Sequence, residues 1–155
     1  MKKIILTSLI FSTLICACKA QNSINSSDLT VNDVQILFQD VSKLSSNFGQ
    51  PQRVLNDYSE MDEKSSLIYE YSGAEFYVMD NKIVSYKLND KQFSFSRFQI
   101  KVGDKIDDIR NLFPDSYHKK NEGSIVIQIL NNDLFLGIDY HETTKKILSI
   151  GIYSY

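Results

Sequence analysis

Leu134-Phe135-Leu136-Gly137-Ile138-Asp139-Tyr140 and Ile147-Leu148-Ser149-Ile150-Gly151-Ile152-Tyr153 decide the fold class. In the first run Leu134, Leu136, Ile138 and Tyr140 fall on alternate positions; in the second, Leu148, Ile150 and Ile152 do. Successive side chains of a strand point to opposite faces, so such alternation describes strands with one buried face. Glu142-Thr143-Thr144-Lys145 between them is turn-like, and Ser124–Leu130, before Asn131-Asn132-Asp133, reads as a third strand. Three strands joined by short turns form an antiparallel meander.

A similar series stands in the first half: Ser66–Tyr71, Glu75–Met79 and Lys82–Asn89, separated by Ser72-Gly73-Ala74 and Asp80-Asn81. A short helical pattern precedes each meander. Val41, Leu44 and Phe48 lead to Gly49-Gln50-Pro51; Ile106, Ile109 and Phe113, sixty-five residues later, lead to Pro114-Asp115. Apolar residues at i, i+3 and i+7 line one helix face, and glycine or proline ends it. Asp104 is the expected N-cap of the second helix. Val31, Val34, Ile36, Leu37 and Phe38 predict a further helical turn opened by Thr30 or Asn32. Alternating Phe93, Phe95 and Phe98 predict a strand linking the halves. The expected class is α+β: two repeats of a short helix plus a three-stranded antiparallel meander, with the helices packed on the sheet.

The N-terminus is of another kind. Lys2 and Lys3 precede an apolar run from Ile4 to Ile15, as in a secretory signal peptide. That run is shorter than the roughly 20 residues a spanning helix needs. The expected organisation is a signal peptide over 1–17, a polar tether over 18–28, and one α+β domain over 29–155 with halves of about 29–90 and 91–155. Both cysteines, Cys16 and Cys18, lie at the end of the signal, so residues 19–155 contain no thiol for a disulfide. Removing Lys2 and Lys3 leaves 15 basic against 19 acidic side chains, a net charge of about −4. That balance argues against nucleic acid and anionic headgroups as main partners.

Ile15-Cys16-Ala17-Cys18 resembles the lipobox of bacterial lipoproteins. The resemblance implies diacylglycerol on the Cys18 thiol, cleavage before it, and acylation of its amine, palmitate being a typical chain. It implies a place in the bacterial cell envelope, anchored by lipid to a membrane, with the outer membrane expected. The globular part is similar to the SmpA/OmlA lipoproteins and the tandem-repeat β-lactamase inhibitory proteins. Val102-Gly103-Asp104, Ile106, Ile109, Leu112 and Phe113 carry the likeness in the second half; Val41, Leu44, Phe48, Gly49 and Pro51 carry it in the first. The first half lacks the Val-Gly opening, and no glycine separates Phe113 from Pro114. What this implies is a non-enzymatic module that binds a protein.

Residue chemistry points the same way. No Gly-x-Ser-x-Gly elbow and no glycine-rich phosphate loop occur. Asp139, His141 and Glu142 could begin a metal site, yet two or three neighbours on one strand end fall short of a ligand set. His118 reads as a solvated loop residue. Glu60-Met61-Asp62-Glu63 lacks the spacing of a calcium loop and reads as a solvated turn. No catalytic residue, metal ligand or cofactor is assigned. Aromatics are abundant: residues 19–155 hold nine Tyr and eight Phe. Tyr69, Tyr71, Tyr86, Phe93 and Phe95 are the candidate partner-binding residues, with burial in the core as the competing assignment.

The expected function is a lipid-anchored envelope module that meets a protein partner on its sheet. An inhibitor or immunity-type protein, with Asn56–Ser65 as an acidic inserting loop, is the alternative; a hydrolase ranks third. Cys18→Ser is expected to move the chain from the membrane to the soluble fraction on cell fractionation. Retention in the membrane would contradict the anchor.

Overall fold

A computed structural model describes residues 23–59, 64–96, 98–130 and 133–154. Cys18 and the signal lie outside the described residues. Twelve strands form two sheets among those residues. The large sheet is built from β1 (Ser23–Asn25), β4 (Arg53–Ser59), β5 (Lys64–Tyr71), β6 (Ala74–Met79), β7 (Lys82–Leu88), β10 (Ser124–Leu130), β11 (Leu134–Tyr140) and β12 (Ile147–Ser154). Its order is β1-β10-β11-β12-β7-β6-β5-β4. β1 runs parallel to β10, and every other neighbour is antiparallel. The small sheet holds β2 (Thr30–Val31), β3 (Val34–Gln35), β8 (Ser94–Phe95) and β9 (Ile100–Lys101) in the order β3-β2-β8-β9. The helices are α1 (Ser42–Phe48), α2 (Ile109–Leu112) and α3 (Pro114–His118), with a 3₁₀ turn at Ile106–Asp108.

Two repeats of a helix and a three-stranded meander therefore do not describe the fold. The first meander has four strands, because Arg53–Ser59 is a strand, and both meanders belong to one mixed eight-stranded sheet. The second helical segment is broken into three short pieces. Phe113, with φ −136°, ends α2, and Pro114 opens α3 at a position where its missing N–H costs no bond. The turn expected over residues 31–38 is the β2–β3 hairpin. Asn32 and Asp33 take φ of 49° and 63°, a left-handed pair that suits a two-residue hairpin and that Asn and Asp tolerate. Asn32 Oδ1 then accepts from the Ser94 N–H at 2.8 Å, tying the hairpin to β8. Asp104 does not cap a helix: its carboxylate accepts from the Lys101 N–H at 2.8 Å and closes a turn. Asp40 is the side chain that supports the start of α1. It accepts from both the N–H and the hydroxyl of Ser42, and those bonds hold its carboxyl below the usual carboxylate range.

The core lies between the large sheet and the layer of helices and short strands. Ile24, Phe76, Val78, Tyr86, Leu88, Ile125, Ile127, Leu136, Ile138, Ile150 and Ile152 line the sheet side. Leu44, Ile106, Ile109 and Phe113 meet them from the helices. Phe48, at the end of α1, stacks on Phe76 at 5.4 Å and meets Tyr71 and Phe93 edge-on. Tyr71 donates its hydroxyl to the Gly49 carbonyl, so the glycine that ends α1 (φ 80°) is fixed to β5. In β12 a bulge opposite Asp139 and Tyr140 changes the alternation: Ile147 is buried, and Leu148 turns outward.

Part of the stretch expected as a polar tether, residues 23–28, is structured. Residues 23–28 belong to the domain, since β1 pairs with Gln128–Leu130 and Ile24 is fully buried. Ile24→Ala is expected to cost about 2–5 kcal/mol, as for other buried Ile truncations, read from urea unfolding. A true tether residue would leave the midpoint unmoved.

Candidate functional site

Pairing between β7 and β12 is brief. Leu88 faces Ile150 and Lys87 faces Gly151, and there the ladder ends. The cause is local. A bulge in the β6–β7 register follows the Tyr77–Ser85 pair, so that Val78 faces Ile83 and Val84 is left over. Bulges bend and twist the strand that carries them. The shift lies in the stretch of β7 that is outside the β12 ladder. One side-chain bond crosses the opening, from the Ser85 hydroxyl to the Ile152 carbonyl.

A groove of about 510 Å³ lies in that opening. Tyr77, Met79 and Val84 wall one side, and Leu134, Ile152 and Tyr153 the other. Phe38 forms part of the lining with 46% of its surface exposed. Its backbone takes φ 63°, and its N–H donates to the Ile83 carbonyl. A left-handed backbone is uncommon for a large residue and persists only where its surroundings hold it.

The sheet face turned away from the core continues the groove. Ile68, Glu75, Tyr77, Lys87, Val126, Gln128, Phe135, Asp139 and Tyr153 on this face are half-buried or exposed. Gly137 and Gly151 pair directly across β11 and β12. The Tyr153 ring lies over both; a Cβ on either glycine would come within 3 Å of it. Phe135 stacks on the same ring at 5.5 Å. Two glycines thus make a shallow seat in which an aromatic lies flat, its hydroxyl end toward the groove.

Carboxylates set the electrostatics. Tyr77 donates to Glu75 at 3.0 Å. Burial, then the bond and charge of Glu75, push the Tyr77 hydroxyl up to about 12. Burial chiefly, with Asp139 and Glu75, raises Tyr153 as well. Ser149 donates to Asp139 at 2.6 Å. The groove is largely apolar in its walls, with Lys87 in its lining and Glu75 facing Lys87 across β6 and β7, a setting for an apolar segment.

The aromatics singled out from sequence are placed elsewhere. Tyr71, Tyr86, Phe93 and Phe95 are buried in the core, and Tyr69 is half-buried against it. Burial in the core, the competing assignment read from the sequence, describes Tyr71, Tyr86, Phe93 and Phe95. Of this set only Tyr86 borders the groove. His141 lies just beyond β11, which ends at Tyr140, so it does not share a strand face with Asp139. His141 Nδ1 instead accepts from the Thr143 and Thr144 N–H groups. A second, polar hollow of about 240 Å³, near His118, Lys120, Glu122 and Glu142, lies around the opposite turn. Residues 60–63 lie outside the described residues, while 56–59 and 64–65 are strand, so the loop expected over Asn56–Ser65 is shorter than that span.

Phe38, Tyr77, Met79 and Tyr153 were not singled out from sequence. The available signal was Phe135-x-Gly137 and Gly151-x-Tyr153: glycines and aromatics at outward positions of a half-buried sheet, where charges would be ordinary.

No family model matches this chain, and no curated protein does. Solved structures share its fold, among them two from bacteria. One is an extracellular protein containing a SCP domain from Bacillus anthracis, with TM-score 0.55 and 13% identity over 88% of this chain and 49% of that one. The other is a cysteine-rich secretory protein from Staphylococcus aureus, with TM-score 0.53 and 15% identity over 85% of this chain and 50% of that one. The chain spans about half the length of each, and identity at this level carries the fold alone. Both neighbours are described as exported, which is compatible with a secreted or envelope protein.

The raised Tyr77 hydroxyl gives a pH test. Its ordinary value is 10, and in the fold it is about 12. Between these values the folded chain keeps a proton that the unfolded chain loses. The stability it contributes is therefore present below pH 10 and lost as pH rises through about 12. Tyr77→Phe is expected to flatten the fall of the urea midpoint across that window; an unchanged slope would contradict the assignment.

Proposed function

We propose that this chain is a lipid-anchored, non-catalytic binding module of the bacterial cell envelope. In this proposal Cys18 carries the lipid and holds the domain at the outer membrane, and the groove between β7 and β12 receives a protein partner. The observation that carries the proposal is the groove itself: an apolar cleft of about 510 Å³ where the sheet opens, continuous with a sheet face of half-buried aromatics. The occupant is an extended apolar segment. Short apolar anchors set in a cleft supply most of the energy of such contacts, and the surrounding charges set orientation. The lipobox resemblance at Ile15–Cys18 supports the anchor.

The test is capture from detergent-solubilised membranes by the full chain. Phe38→Glu and Met79→Glu each place a charge in the cleft, and each is expected to reduce recovery of the partner at least about tenfold, the loss of one buried anchor. Asn47→Glu, on the exposed side of α1, is expected to leave recovery unchanged. Equal recovery with all three variants would contradict the groove as the binding surface. Recovery of a single toxin or hydrolase, inhibited on binding, would favour the inhibitor alternative over an envelope-assembly role.

A further inference from the structure

We propose that the outer edge of β4 pairs antiparallel with β4 of a second copy of this chain, joining two eight-stranded sheets into one. β4 ends the large sheet and bonds to β5 alone through seven consecutive residue pairs with no shift of register. Residues 53–58 are all exposed, on both faces of the strand. Val54, Leu55 and Tyr58 expose 46%, 37% and 59% of their surface. Sheet edges of monomers are ordinarily blunted by charged side chains, above all lysine, by proline, by a bulge or by a covering element; the charges of β4, Arg53 and Asp57, are of opposite sign. Residues 52–58 contain neither lysine nor proline, and the ladder has no bulge. A straight seven-residue edge with apolar side chains is a template for another strand.

The sequence selects the occupant. In a two-fold antiparallel pair the outward backbone groups match only when the axis passes through a residue, so each residue meets one of its own parity. With the axis at Leu55, Leu55 meets Leu55 of the other copy, and Arg53 meets Asp57 twice by symmetry. Val54 then meets Asn56, and Gln52 meets Tyr58. The next position in each direction would set Pro51 against Ser59, and the missing proline N–H ends the ladder there. An axis at Asn56 places Leu55 against Asp57; an axis at Val54 places Arg53 against Leu55; an axis at Asp57 places two carboxylates together. Opposite charges directly across strands stabilise a pair, and like charges destabilise it. Arg-x-Leu-x-Asp over 53–57 is thus self-complementary in one register. Arg53 bonds Glu70 on β5, and in the paired edge it would also meet Asp57 of the second copy.

The experiment uses the full chain in the membranes of cells that make it. Leu55→Cys is expected to give a disulfide-linked dimer on mild oxidation, beyond any formed by the unsubstituted chain through Cys16 or Cys18. Gln128→Cys, exposed on the far part of the sheet, is expected to give none. Added to Leu55→Cys, Asp57→Arg is expected to reduce the dimer about tenfold by setting two arginines against each other. Arg53→Asp together with Asp57→Arg restores the complementary pattern and is expected to restore the dimer. Absence of the Leu55→Cys dimer would overturn the proposal. So would a cross-link to a different protein in its place, or failure of the double reversal to recover the dimer. Groove variants such as Met79→Glu leave this readout untouched, so it stands apart from partner binding.

Discussion

Two residue pairs, Leu88 with Ile150 and Lys87 with Gly151, join the halves of this molecule into one sheet. Without them the four strands β4–β7 and the strands β10–β12 would each present an apolar face to a separate, smaller core. With them Phe76, Tyr86, Leu88, Ile138 and Ile150 share one buried layer. The same brevity has a second consequence. Because the ladder stops after two pairs, the sheet opens toward the start of β7 and the end of β12, and the groove occupies that opening. The joint that makes the core continuous also leaves the open face divided.

The helices depend on this layer rather than on themselves. α1 has seven residues and α2 four, well below the roughly 12–15 at which an isolated helix becomes marginal in water. Each is held by what it buries: Leu44 and Phe48 against Phe76 and Tyr71, Ile109 and Phe113 against the second half. Residues 19–155 offer no disulfide, so the aromatic knot at Phe48, Tyr71, Phe76 and Phe93 provides cohesion by packing alone. That requirement explains why so many of the aromatics lie inside.

Sequence periodicity located the strands of both meanders wherever one face is buried, as in Leu134–Tyr140 and Ser124–Leu130. It missed Arg53–Ser59 for a physical reason: both faces of that strand are exposed, so no burial contrast is written into it. β1 was missed because three residues in a polar stretch carry one apolar side chain, Ile24, too few to show a period. The hairpin at Asn32-Asp33 was mistaken for a helical turn because Val31, Val34, Ile36 and Leu37 mimic helical spacing, while the left-handed pair between them holds the decisive information. Leu148 and Ile147 exchanged places through a bulge that spacing does not reveal. For the site, residue type misled where face would have informed: Tyr86 and Phe95 are aromatic and buried, whereas Tyr153 earns its exposed place from the glycine pair beneath it.

In the proposed function, the opening between β7 and β12 receives the partner. Hydrogen exchange of the full chain, with and without its captured partner, tests this most directly. The account predicts added protection confined to Phe38, the first half of β7 and the end of β12, with α1 to α3 unchanged. Protection concentrated on the helices, with the groove strands unaffected, would contradict it.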